Sequence, residues 1–119
     1  MWIKLDDRMP ENIKVIALSD AAFRAYIRGL CYCGRNLTDG FIPDAAVREI
    51  CGGGKNWRRT VAQLATKGPQ STHPLWEPLG ASSGYYVHDW ETYNPTRSKV
   101  EEQRQKTLER VKKFRFRDA

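Results

Sequence analysis

Hydrophobic positions recur with two different periods along the chain, and the changes of period mark the expected elements. Residues 2–6 alternate apolar and polar side chains, which predicts a short strand. Residues 13–18 are apolar enough for a short buried helix or a second strand, and their pattern does not decide between the two. Ser19 is a good N-cap for the core helix that follows and that ends near Gly34 and Asn36. The apolar stripe of this helix is Phe23, Tyr26, Ile27 and Leu30.

A turn, a short helix and a second turn precede the most informative segment. Residues 37–43 predict a turn followed by two or three extended residues, because an Asp-Gly pair favours a turn and the residue before a proline is pushed towards the β region. A helix is predicted over about 44–51, and the glycines at 52–54 stop it with a sharp turn. The next helix is predicted over 56–67, with Asn56 as its candidate N-cap.

The two faces of the helix at 56–67 differ in chemistry. At 100° per residue, Trp57, Val61 and Leu64 fall on one side and form the expected buried face. The expected outward face carries only amide, hydroxyl and cationic side chains, and the whole helix lacks an acidic residue. Arg and Lys bond guanine edges or phosphates, and Asn and Gln bond adenine edges. The outward residues are Asn56, Arg59, Gln63, Thr66 and Lys67.

The last third of the chain predicts a β-hairpin and a helix. Two apolar runs, 75–79 and 84–90, flank a small uncharged tip at about 80–84, and Pro78 indicates that the first run is an edge strand or is bent. A final helix begins near Ser98, whose spacing to Glu101 is that of a capping box. Its thin apolar stripe leaves three outcomes open: docking on the domain, pairing with a second copy, or a basic tail. The stripe is Val100, Leu108, Val111 and Phe114.

Charge is segregated along the chain. Residues 43–68 carry five basic and two acidic side chains, net +3, and residues 96–119 carry nine and four, net +5. Residues 69–95 between them carry three acidic side chains and no basic one, net −3. Basic patches separated in this way are typical of proteins that bind polyanions, although solvated helix faces give the same pattern.

Motifs for catalysis and metal binding are missing from the sequence. The three cysteines lack the paired spacing of a zinc site and are expected to be buried, inert thiols. His73 and His88 have no partner motif and are expected to be structural. We therefore expect neither enzymatic activity nor a cofactor. Without a run of about 20 apolar residues or a signal-peptide core, a cytoplasmic location without membrane contact is expected.

Three stretches, 2–7, 37–43 and 86–98, resemble small proteins of actinobacterial phages and prophages. The resemblance is carried by the Asp-Gly-Phe-Ile-Pro turn and by the His-Asp-Trp strand that leads into Asn-Pro-Thr-Arg. It extends to their replication-initiator or replisome-organiser relatives with DnaD-like N-terminal domains. The resemblance implies a helix-turn-helix that binds DNA, with the reading helix at 56–67, and contacts with a replicative helicase or its loader.

The element order and the resemblance together predict an α+β fold: a winged helix-turn-helix domain over 1–95, with an extra N-terminal element, followed by a basic C-terminal helix or tail over 96–119. The expected function is binding of double-stranded DNA, in replication initiation of a phage or mobile element. Alternatives are a transcriptional regulator or excisionase-type protein of the same fold, and a protein-interaction module that grips a host protein. A homodimer through the C-terminal helix also fits. The expected DNA-contacting residues are Lys55, Asn56, Arg58, Arg59, Gln63, Thr66, Lys67, Arg110, Lys112, Lys113, Arg115 and Arg117.

Overall fold

The computed structural model describes residues 2–68, 71–80, 83–94 and 96–117. Short 3₁₀ and α-helical turns lead from the N-terminus into a long core helix, and a small sheet and a long C-terminal helix complete the chain. The elements in order are a 3₁₀ turn (Met9–Glu11), α1 (Ile13–Ile16), α2 (Asp20–Asn36), β1 (Phe41–Pro43), α3 (Asp44–Ile50), α4 (Trp57–Ala65), β2 (Trp76–Leu79), β3 (Gly84–Val87), α5 (Trp90–Tyr93) and α6 (Arg97–Arg117).

The three strands form one antiparallel sheet in the order β1–β3–β2. β2 and β3 make the predicted hairpin, and Pro78 lies in the edge strand β2, as its missing N–H group requires. β1 pairs with the other side of β3 with Phe41 opposite Tyr86. The mixed helical and antiparallel composition confirms the α+β class. None of the helices within the described ranges combines the length and the apolarity needed to cross a bilayer.

The core lies where α2 crosses the sheet, and small residues on α2 allow a close approach. Trp76 and Ile42 are fully buried. A Cβ atom added at Gly29 would lie 2.8 Å from Cζ2 of Trp76 and 3.2 Å from Cδ1 of Ile42. The predicted stripe of large residues on α2 is therefore only part of its packing face, and Leu30 is the one residue of that stripe that is buried. The buried positions of α2 are Ala22, Ala25, Gly29, Leu30, Cys33 and Gly34.

The predicted strand at residues 2–6 is wrong. Ile3 packs against the end of α2, where a Cβ atom at Gly34 would lie 2.7 Å from its Cγ2 atom. The backbone N–H of Lys4 donates to Oδ1 of Asn94 at 3.0 Å. The alternation of apolar residues fails as a strand signal because the segment pairs with side chains instead of with a neighbouring strand.

Several predicted helix ends are confirmed and others shift. Ser19 caps α2 by accepting a hydrogen bond from the backbone N–H of Ala22 at 3.2 Å. The segment at 13–18 is helical over Ile13–Ile16. The predicted capping box of α6 is wrong: Ser98 lies inside the helix, and Thr96 caps it by accepting from the backbone N–H of Lys99 at 3.3 Å. Trp90, predicted in the second hairpin strand, begins the short helix α5 instead.

The cysteines were expected to be buried, and this is wrong for Cys31, which is exposed. Cys33 is buried and Cys51 is half-buried. Loss of hydration on burial raises the pKa of both thiols to about 11. The nearby Arg28 guanidinium offsets part of this rise for Cys51.

We expect one fast thiol per folded chain when the protein reacts with a disulfide reagent at pH 8. A thiol of pKa about 11 is about one-thousandth thiolate at that pH, so Cys33 and Cys51 should react slowly. Stopped-flow titration with a disulfide reagent measures the phases, and all three thiols should become fast in denaturant. Cys31→Ser should remove the fast phase; a fast phase that survives this substitution would contradict the assignment.

Candidate nucleic-acid interface

Helix α4 is fixed to the core along one side, as its sequence predicts. Leu64 is fully buried and Val61 is 8% exposed, while Trp57 is half-buried. Thr60, on the border of this face, is also buried. Glycines at 52 and 53 with φ of 91° and 69° make the predicted turn between α3 and α4, a conformation that glycine adopts without steric cost. The reading-helix candidate is thus a rigidly mounted element.

The exposed start of α4 is strongly basic. Lys55, Arg58 and Arg59 are all exposed, and the sequence holds no acidic residue from 50 to 76. The Arg58 guanidinium carbon lies 4.6 Å from the centre of the Trp57 ring, so a cation–π contact orients this side chain. Exposed arginines on a helix that is anchored on its other face can meet phosphates or guanine edges.

The two amide side chains of the predicted face differ from the prediction in detail. Asn56 precedes α4 but its side chain makes no capping hydrogen bond. Gln63 is half-buried, and its Oε1 atom accepts a hydrogen bond from the backbone N–H of Ser19 at 2.9 Å. Reading an adenine edge requires an amide oxygen as well as an amide nitrogen. This bond ties the side-chain oxygen of Gln63 to α2, and base contact by Gln63 stays a prediction.

α4 ends at Ala65, two residues earlier than predicted, so Thr66 follows the helix in extended backbone and Lys67 lies outside the helix. Together with Gln63 they border a cavity of about 470 Å³ between α1 and the end of α4. We call this cavity the α1–α4 groove. Its apolar lining includes Ile13, Leu18, Pro74 and Leu75, and its cationic lining is Lys14 and Lys67.

The hairpin tip is tied to the start of α3. The backbone N–H of Asp44 donates to the carbonyl of Ser83 at 2.9 Å. Residues 81 and 82 of the predicted tip lie outside the described residues. Because residues 80–84 carry no charge, the tip can meet a phosphate backbone only through neutral groups.

The second group of predicted DNA contacts lies on α6, at the other end of the sheet. The backbone N–H of Arg97 donates to Oδ1 of Asp39 at 2.5 Å, and Asp39 lies in the turn before β1. β1 begins opposite the end of β3. The first residue of α6 therefore lies at the end of the sheet away from the hairpin tip.

Along α6 the cationic side chains face solvent. Arg97 and Glu101 form an ion pair at 2.9 Å, and Lys106 and Glu102 form another at 3.1 Å. The ion pairs found within the described part of the chain involve none of the four cations between residues 110 and 115. The side chain of Arg117 lies outside that part. The exposed cations are Arg110, Lys112, Lys113 and Arg115.

One cation close to this surface was not among the predicted contacts. Arg48 is exposed in the last turn of α3, and its carbonyl accepts a hydrogen bond from Gly53 in the turn before α4. Arg48 is one of the five basic residues counted in 43–68. It was not predicted as a DNA contact because Asp44 and Glu49 lie on the same helix. Its place beside the turn adds a fourth positive charge near the start of α4.

His88 joins the two ends of the hairpin. Its Nδ1 atom lies 2.7 Å from Oε1 of Glu77, its Nε2 atom lies 3.2 Å from Oδ2 of Asp89, and its ring stacks on that of His73 at 4.6 Å. These contacts bridge β2 and the segment after β3. They agree with the structural role expected for both histidines.

A scan against protein-family models found no match for this chain, and searches of curated proteins and of solved structures returned no match either.

Proposed function

We propose that this protein binds duplex DNA through a winged helix-turn-helix. In this assignment α2, α3 and α4 are the three helices, α4 is the reading helix, and the β2–β3 hairpin is the wing. The element order α2–β1–α3–α4–β2–β3 and the sheet order β1–β3–β2 support the assignment. In helix-turn-helix proteins the N-terminal residues of the reading helix contact base edges in the major groove.

The observation that carries the proposal is the pair of exposed arginines at the start of α4. Arg58 and Arg59 lie in the first turn of a helix whose opposite side is anchored by Leu64. The acid-free stretch around them removes the like-charge repulsion that a phosphate backbone would meet. Nucleic-acid contact is the function that uses the exposed arginines, the anchored helix and the acid-free stretch together.

We assign the protein to replication initiation in a phage or mobile element, acting in the cytoplasm with a replicative helicase or its loader as a candidate partner. This role rests on the resemblance of 2–7, 37–43 and 86–98. A transcriptional or excisionase-type role uses the same interface. A preferred site inside the element's own replication gene favours the first role, and sites in promoters or attachment regions favour the second.

The protein-interaction alternative has less support. The sequence suggests this alternative through the aromatic residues near the hairpin, Trp76, Tyr85, Tyr86 and Trp90. However, Trp76 and Trp90 belong to the core and are 0% and 3% exposed. Tyr85 and Tyr86 are half-buried, and burial raises the pKa of both phenols. These aromatics therefore stabilise the fold and do not form an open docking face.

Selection of bound duplexes from a random pool, followed by titration of the winner and of a scrambled duplex at two salt concentrations, tests the proposal. A DNA-binding protein of this kind should enrich a defined site and lose affinity steeply as salt rises. No enrichment, together with binding that does not depend on salt, would refute it.

Neutralising the end of α6 should weaken binding to every duplex alike. The variant Arg110→Gln/Lys112→Gln/Lys113→Gln/Arg115→Gln keeps good helix formers at exposed positions. Each lost phosphate contact should reduce the log–log salt slope by about 0.9. Anisotropy titrations on specific and scrambled duplexes measure both effects. An unchanged slope, or a loss confined to the specific duplex, would show that α6 does not contact the backbone.

A further inference from the structure

Trp2 is the most exposed large hydrophobic side chain of the described residues, at 92% exposure. It does not contribute to the core, because the chain enters the fold only at Ile3, which packs at Gly34. Leu5, three residues on, is 48% exposed. Tryptophan is among the residues that most often supply the binding energy of protein interfaces, so an indole held in solvent by an anchored segment is a candidate contact residue.

The α1–α4 groove is a largely apolar surface that no other part of residues 2–68, 71–80, 83–94 and 96–117 fills. Its volume of about 470 Å³ is ample for an indole side chain. Ile13 at its edge is 54% exposed, and Ile16 on the same short helix is 66% exposed. The cationic side chains that line the groove are Lys14 and Lys67, and none of the described residues that line it is acidic.

Trp2 cannot fill the groove of its own chain while the N-terminal segment stays in place. The groove lies at the start of α2, because Gln63 lines it and is bonded to Ser19. Ile3 is held at Gly34 near the other end of α2, and the backbone of Lys4 is held by Asn94. The fifteen residues from Ser19 to Gly34 span roughly 22 Å of helix. Trp2 and the groove therefore lie near opposite ends of α2.

We propose that the α1–α4 groove binds the Trp2–Asp7 segment of a second copy of this chain. If each copy's groove takes the other copy's Trp2, the contact forms twice and closes as a two-fold dimer. Asp6 and Asp7 of the segment are exposed and carry the charge opposite to that of Lys14 and Lys67. The segment therefore matches the groove in both charge and apolar surface.

The apolar positions of α6 fit the groove less well. Leu108, Val111 and Phe114 are 48%, 41% and 67% exposed, so they too are available. However, cations surround them on the helix, including Arg104, Arg110 and Arg115, and these would meet the two groove lysines. The N-terminal segment avoids this repulsion.

The self-association of the full chain, measured by sedimentation velocity over a dilution series, tests the proposal independently of any DNA binding. We expect a reversible dimer, and we expect Trp2→Ser and Ile13→Ser each to raise its dissociation constant at least tenfold. Phe114→Ser is the matched control, because it removes an exposed aromatic residue from α6, and it should have no effect. Since Trp2, Ile13 and Phe114 are exposed, the three variants should keep the fold.

Mixing the two impaired variants distinguishes a reciprocal exchange from other dimers. A Trp2→Ser chain keeps an intact groove and an Ile13→Ser chain keeps an intact Trp2, so the mixed pair retains one of the two contacts. The mixture should therefore associate more strongly than either variant alone. Likewise, Lys14→Glu and Asp7→Lys should each weaken the dimer and should restore it when combined in one chain.

Four results would overturn the proposal. These are a monomer at every concentration, a dimer that tolerates Trp2→Ser, a dimer that is lost with Phe114→Ser, and a mixture that associates no better than its components. The third would assign the dimer to α6. None of them bears on whether the start of α4 binds DNA.

Discussion

Arg59→Ala is expected to weaken binding to the selected DNA site by about 1–3 kcal/mol and to relax the preference for its sequence. Arg59 lies in the first turn of α4 on the face opposite the buried Leu64, and its side chain is exposed. A bidentate contact from arginine to a guanine edge discriminates against other bases. Loss of such a contact lowers affinity for the preferred duplex more than for a scrambled one.

The charge-matched control is Arg35→Ala, which removes one exposed cation from the last turn of α2. Both variants change the net charge from +6 to +5, so a purely long-range electrostatic effect would be the same for both. Anisotropy titrations on the selected and scrambled duplexes separate the two cases. If Arg59→Ala and Arg35→Ala bind alike, the reading face assigned to α4 is wrong.

The stability of Arg59→Ala should match that of the parent, because the substitution removes an exposed side chain and no buried contact. Arg58→Ala differs in this respect. The Arg58 guanidinium packs on the Trp57 ring, so its removal also exposes part of that ring. Arg59 is therefore the cleaner probe of DNA contact, and Arg58 tests contact and packing together.

The sequence predicted the elements that bury one regular face. Val61 and Leu64 of α4 have a helical period and are buried, and Ser19 caps α2 as expected. The turn at 52–54 followed from glycine alone, because positive φ is costly for other residues. These features depend only on residues that are close together in the sequence, so a single segment is enough to predict them.

The failures involve contacts between segments that are distant in sequence. The alternation in residues 2–6 could not show that Lys4 would bond to Asn94, ninety positions away. Similarly, the wheel of α4 placed Gln63 outside, but it could not show that Ser19 would hold its side-chain oxygen. The spacing of apolar residues shows which face of a helix is buried. It does not show which residues of other segments contact the side chains at the edge of that face.

The packing of α2 was misjudged for a related reason. Large apolar residues draw attention to Phe23, Tyr26 and Ile27, which are only half-buried. The deepest contact instead involves Gly29, because a missing side chain is what lets the Trp76 ring reach the helix. A glycine inside a helix weakens it locally, so this position indicates close packing only once its partner is known.

Trp76→Ala is expected to lower the free energy of unfolding by about 3–5 kcal/mol. Trp76 is fully buried in β2, packs on α2 at Gly29 and lies 5.8 Å from the Tyr85 ring. Its removal leaves a cavity between the helix and the sheet that α2 cannot fill without moving. Urea unfolding followed by far-ultraviolet circular dichroism measures the change. A loss under about 1 kcal/mol would contradict this account of the core.

Trp2→Ala is the matched control, because the same residue type is 92% exposed there and its loss from the dilute monomer should cost less than about 0.5 kcal/mol.

Trp76→Phe separates the effect of the indole N–H group from that of ring packing. The Nε1 atom of Trp76 is buried and has no hydrogen-bond partner within the described residues. Phenylalanine keeps most of the ring and removes this unpaired donor, so part of the packing loss should be offset. Since β2 also packs against α4, a large loss at Trp76 with a small one at Trp2 would show that the core next to α4 carries much of the stability of the fold.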